Sequence, residues 1–244
     1  MSAQFFVVTG GPGAGKTSLI TELSRRGFHT IPESGRAIIR EEMASGGDAL
    51  PWADRMAYAE RMLERDLHSY IAVQARSGMA IFDRGIPDIL GYLTLCNLPL
   101  PRHIAAESKA KRYNRRVFLA PYWDDIFAQD TERKQNRAEA QATCAVMRET
   151  YTALGYEIIE LPLTDIERRA DFVTAQMSLR FDRGLQPVRA PTANALPTRV
   201  ASLPTPECSP DRPANPPARA VLVSARRRSP PAPDPAPLRR QTPA

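Results

Sequence analysis

Gly10-Gly11-Pro12-Gly13-Ala14-Gly15-Lys16-Thr17 satisfies GxxxxGK[ST] at every fixed position, and it constrains this chain more than any other feature. Apolar Phe5-Phe6-Val7-Val8-Thr9 precedes it, and a helical pattern carrying Leu19, Ile20 and Leu23 follows until Gly27. A strand, a glycine turn and a helix in that order curl the backbone so that successive N–H groups face phosphate oxygens beside the positive end of the helix. The motif gives Lys16 to the β- and γ-phosphates and the Thr17 hydroxyl to magnesium. The expected nucleotide-binding segment is Gly10, Gly11, Pro12, Gly13, Ala14, Gly15, Lys16, Thr17 and Ser18, with ATP or GTP as substrate and Mg2+ as cofactor.

Further strands are predicted at residues 29–31, 79–82, 117–120 and 157–161. Between them the sequence predicts a helix through Ile38, Ile39 and Met43 and a long amphipathic helix over residues 52–76. The inward stripe of that long helix is Met56, Ala59, Met62, Leu63, Leu67 and Ile71. A last helix covers residues 165–179. Alternation of this kind implies an α/β fold with a parallel sheet covered by helices on both faces, and sites along the C-terminal ends of the strands.

Composition changes abruptly near residue 185. Residues 185–244 hold 15 of the 23 prolines and 9 arginines against 3 acids, so the whole net charge of +6 belongs to them. Residues 1–184 are the expected kinase-like domain and residues 185–244 a disordered tail, since such a composition buries too little apolar surface to offset its conformational entropy. The domain itself carries 24 basic and 24 acidic residues, which gives no support to a nucleic-acid-binding face. Cys96, Cys144 and Cys208 have no metal-ligand or disulfide-framework spacing. No signal-peptide pattern and no membrane-length apolar run occurs, so a cytoplasmic protein is expected.

Two carboxylates and four arginines stand out around the loop. Asp83 ends the third strand, placed to hold magnesium or orient an incoming hydroxyl, with Arg84 beside it to neutralise phosphoryl charge. Glu33 ends the second strand, three residues before Arg36, and suits a general base or acceptor anchor; a helix-capping carboxylate is the structural alternative. Arg133 and Arg137, four apart, share one side if the segment is helical, as a lid closing on a triphosphate requires. His29, His68 and His103 show no ligand spacing, and Ser34 and Ser108 lack a nucleophile-elbow context.

These segments resemble the AAA-type ATPases similar to nucleoside and nucleotide kinases, a group that includes the ribosylnicotinamide kinase domain of the NAD-biosynthesis regulator. The resemblance spans about residues 4–178. It rests on the phosphate loop, Pro32-Glu33 with Arg36, Phe82-Asp83-Arg84-Gly85, the stretch from Asp130 to Arg137, Leu154-Gly155-Tyr156 and Leu161-Pro162. It implies a five-stranded parallel sheet in the order 2-3-1-4-5 with Asp83 beside strand one. It further implies Glu33, Arg36 and Arg84 near the acceptor, and Arg133 and Arg137 in a lid. No Asp-Glu pair follows the third strand, so ring-forming ATPase machinery is not expected.

Two functions follow as expectations. The first is a kinase transferring the γ-phosphoryl group to a small, nucleoside-like or other hydroxyl acceptor. The second is an ATPase or GTPase switch read by a protein partner, for which the proline-rich tail is the candidate docking segment.

Overall fold

The computed structural model describes residues 4–76, 78–126 and 136–178. Residues 185–244, expected as a tail, and Arg133 lie outside the described residues. Five strands, β1 (Phe5–Gly10), β2 (His29–Ile31), β3 (Ala80–Asp83), β4 (Arg116–Ala120) and β5 (Glu157–Glu160), form one sheet in the order β2-β3-β1-β4-β5. Every pairing is parallel, with Val8 opposite Asp83 across β1 and β3 and Gly10 opposite Ala120 across β1 and β4. The expected strand order and the central place of β3 are both present.

The alternation of side chains along a strand splits β1 between two cores. Phe5 and Val7 point into a cluster with Ala80, Phe82, Val117 and residues of the helices α3 (Arg55–Gln74), α4 (Ile86–Leu95) and α6 (Arg137–Ala153). Phe6 and Val8 point into the other, built with Ile81 and Phe118 against α1 (Lys16–Arg25) and α7 (Ile166–Ser178). Aromatic edges key the first core, Phe5 to Tyr70 at 5.3 Å and Phe82 to Tyr113 at 5.2 Å between ring centroids. The central strands are therefore apolar at nearly every position, and the edge strands β2 and β5 are half-exposed.

Helix boundaries follow local chemistry. The long helix starts at Arg55, because the Asp54 carboxylate accepts from the Ala57 N–H at 2.8 Å and closes the first turn. Of its expected inward stripe only Ile71 is exposed, and Tyr58, Tyr70 and Val73 join the buried side. Tyr70 and Val73 turn into the core, and Ile71, between them, is 55% exposed. Met43 on α2 (Ser34–Ser45) is exposed for the same rotational reason. Among the described residues, no helix is long and apolar enough to cross a membrane.

Candidate active site

The C-terminal ends of β1, β2 and β3 deliver the phosphate loop, Glu33 and Asp83-Arg84 to one edge of the sheet. Between them lies a cavity of about 190 Å3, lined by residues 12–18 and by Glu33, Arg36, Arg84 and Ile126. Two features of the loop require glycine. A Cβ on Gly10 or Gly11 would run into the backbone carbonyls of Ala120 and Ala140, and Gly15 caps α1 in the left-handed region at φ 74°. Lys16 bends back along the loop, its Nζ donating to the Gly11 carbonyl at 2.5 Å, while Thr17 and Ser18 are exposed at the first turn of α1.

Arg84 holds the acceptor side together. Its backbone sits at φ 72°, a region costly for a residue with a side chain, and the neighbours that keep it there are specific. Its N–H donates to the Val8 carbonyl at 2.9 Å, its Nε donates to Glu33 at 3.0 Å and its Nη1 donates to Asp88 at 3.0 Å. Burial works against its charge, but Glu33, Asp88 and Asp83 outweigh that cost and keep the guanidinium firmly protonated. Glu33 also accepts from Arg36 Nε at 3.2 Å, and its side chain makes no capping hydrogen bond to the backbone of α2, so the capping role does not apply.

Asp83 is buried at the end of β3, beside the central strand β1, and its Oδ1 has no hydrogen-bond partner among the described residues. Burial, then repulsion by Glu33, pushes its carboxyl up to about 6, against the pull of Lys16 and Arg84. A carboxyl raised in the folded state favours folding at low pH and loses that contribution as pH rises through the raised value. Asp83→Asn is therefore expected to unfold at higher denaturant than the parent near pH 7.5, by about 1–3 kcal/mol, with the gap closing below about pH 4. Denaturant titration of the nucleotide-free protein at both pH values measures this.

Asp88, absent from the sequence reading, is the hub beneath Arg84. It takes hydrogen bonds from the Thr9 hydroxyl at 2.6 Å, the Tyr151 hydroxyl at 2.6 Å and the Gly85 N–H at 3.0 Å, besides Arg84. The signal was its place as third residue of α4, where its carboxylate reaches back to the N–H of Gly85 ahead of the helix. Asp88→Ala strands a buried guanidinium and two buried hydroxyls. A loss of about 3 kcal/mol is expected in the same denaturant titration.

Arg169 was missed too. It is 1% exposed, its Nη1 donates to the Ala14 carbonyl at 3.0 Å, and burial pulls its pKa down. Its guanidinium lies 5.9 Å from the Trp123 ring and braces the phosphate loop from behind. Nothing local marked it, since Arg168 beside it is an exposed partner of Asp165.

Of the expected arginine pair, Arg133 lies outside the described residues. Asn136 is extended and caps α6 by a reciprocal bond with Glu139, so α6 begins at Arg137. Arg137 is exposed, bonded to Asp124 at 3.2 Å, and does not line the cavity. Ser108 is buried with its hydroxyl on the Ile104 carbonyl, and His103 pairs with Glu60 at the surface. Among the described residues, no group of three or more His, Cys, Asp or Glu is arranged to hold a metal ion.

A family profile described as an AAA domain matches residues 5–169. No curated protein matches the chain. Among solved structures, deoxyadenosine kinase from M. mycoides with the products dCMP and a flexible dCDP bound is similar, with 12% identity and a TM-score of 0.55 over 72% of this chain and 99% of that one. The same enzyme with bound dATP gives 12% identity and a TM-score of 0.50 over the same shares. At that identity the likeness establishes the fold, a P-loop domain of the kinase type.

Proposed function

We propose that this chain, which belongs to the AAA domain family, transfers the γ-phosphoryl group of ATP or GTP to a hydroxyl group of a small acceptor. The observation that carries this reading is the placement of Glu33 and Arg84, 3.0 Å apart, on the wall of the cavity whose floor is the phosphate loop. A nucleotide switch needs the loop but has no use for a carboxylate and a guanidinium locked together opposite it.

In this reading the loop amides and Lys16 hold the β- and γ-phosphates, and Lys16 exchanges its contact with the Gly11 carbonyl for phosphate oxygens. Glu33 accepts the proton of the acceptor hydroxyl as that oxygen bonds to the γ-phosphorus, and the bond to the bridging oxygen breaks to release the nucleoside diphosphate. Arg84, fixed by Asp88, sets the direction of the Glu33 carboxylate and faces the charge that develops on the transferred group. Thr17 and Asp83 fit a magnesium ion, since the Asp83 Oδ1 is buried without a partner and the Thr17 hydroxyl opens α1; the ion would screen the phosphate charges. Arg137 has no part in this reading, and residues 185–244 are a separate basic extension with none in the chemistry.

Transfer of label from γ-labelled nucleotide to a panel of nucleosides, nucleotides, vitamins and sugars tests the proposal. A labelled phosphoester is expected with at least one alcohol; label appearing only as inorganic phosphate, with nucleotide state changing the affinity for a protein, favours the switch.

A further inference from the structure

Two sheltered arginines stand near the phosphate loop, and their surroundings are opposite. Arg84 is held by Glu33 and Asp88, with Asp83 close by, so carboxylates balance its charge. Arg169, 1% exposed on α7, has no carboxylate against it among the described residues, and burial alone acts on its charge. The acids around the start of α7 point outward: Asp165 serves Arg168, Asp171 serves Arg26, and Glu167 is exposed. Within the guanidinium, Nη1 donates to the Ala14 carbonyl at 3.0 Å, while Nε and Nη2 are buried with no hydrogen-bond partner among the described residues. The Trp123 ring, 5.9 Å away, sits at the outer limit of a cation–π contact and offsets a fraction of that desolvation. A buried cation without a counter-charge is unfavourable in the empty protein, and it calls for an anion.

Resting on the nucleotide-binding part of the reading above, we infer that Arg169 is a positioning residue for the polyphosphate: from beneath the loop, and without touching the nucleotide, its charge acts through the Ala14–Gly15 peptide on the bound phosphates. The Ala14 carbonyl and the Gly15 N–H belong to one planar peptide group. A cation on the carbonyl oxygen polarises that group and makes the N–H at its other end a stronger donor. This N–H is one of the successive amides that a phosphate loop turns to its ligand. The approach is close, since a Cβ on Gly15 would lie 2.8 Å from Arg169 Nη1; glycine here makes room for the guanidinium as well as for a left-handed backbone. Arg169 does not line the cavity, and its burial leaves its field little screened by water. A polyphosphate on the cavity side of the loop supplies the counter-charge. The same cation thus burdens the empty protein and favours the loaded one.

The parent, Arg169→Met and Arg169→Lys, each as the full chain, are titrated calorimetrically with ATP and GTP in the presence of magnesium, and are unfolded by denaturant without nucleotide. Methionine keeps an apolar stem and removes the charge. The Met variant is expected to bind the triphosphate about tenfold or more weakly, yet to unfold without nucleotide at the same denaturant concentration as the parent or a higher one. The Lys variant keeps the charge and is expected to bind within about threefold of the parent. A brace that acts by shape alone gives a different result, a Met variant less stable than the parent even when empty. That result overturns the inference, as do a Met variant that does not fold, a Met variant with the affinity of the parent, and a Lys variant as weak as the Met variant. The two levels separate. No binding by the folded parent removes the phosphate-loop reading and the inference with it; the expected pattern without phosphoryl transfer to any acceptor removes the kinase and keeps the role of Arg169.

Discussion

Replacing Lys16 with alanine is expected to reduce phosphoryl transfer by about 10²–10³ and to weaken Mg-nucleotide binding by about tenfold or more. The ammonium lies on the loop side of the cavity, buried at 7% exposure, with its Nζ donating to the Gly11 carbonyl. When a triphosphate arrives, that contact is replaced by charge-assisted bonds to oxygens whose negative charge is redistributed during transfer, so the loss falls on the transition state more than on binding. Steady-state kinetics and calorimetry on folded variant measure the two effects separately. Lys16→Arg is not expected to rescue activity, since the planar fork does not fit a space shaped around a compact ammonium.

Glu33→Gln is the second large effect. The amide keeps the shape and one acceptor oxygen for Arg84 or Arg36, but it takes no proton from the incoming hydroxyl. A fall of about 10²–10⁴ in kcat is expected with a much smaller change in nucleotide affinity, because this side chain bonds to Arg84 and Arg36 on the acceptor side of the cavity. If Glu33 served only to position Arg84, the amide would retain most of the activity. Rapid-quench measurement of the transfer step at saturating acceptor distinguishes the two roles.

The legible parts of this molecule are those encoded within a few residues. Phe5-Phe6-Val7-Val8 reads as a two-sided strand because both faces of β1 are buried, and Asp83 reads as a site residue because a strand-end carboxylate after Ala80-Ile81-Phe82 has no core partner to join. The resemblance to nucleoside and nucleotide kinases supplied the strand order, which no local pattern contains.

The illegible parts depend on partners distant in sequence. Asp88 bonds to Thr9, 79 residues away, and Arg169 reaches Ala14 across 155 residues. Asp66 looks like one acid among many on α3 until Ser34, Asp88 and Glu33 are packed against it. Arg137 shows a different limit: charge spacing alone does not tell where a helix begins, whereas Asn136 and Glu139 form a capping box that starts α6 at this exposed residue, which pairs with Asp124. Ile71 failed because the inward face at this end of the helix runs through Tyr70 and Val73, which leaves Ile71, one position past Tyr70, turned to the outside.

The central claim is that the loop from Gly10 to Thr17 grips a nucleoside triphosphate. Isothermal titration of the full chain with ATP and GTP in the presence of magnesium tests it most directly. The account predicts saturable one-to-one binding with at least one of them, markedly weakened in Lys16→Ala. No heat with either nucleotide from folded protein, or the same affinity in the Lys16→Ala variant, would contradict it.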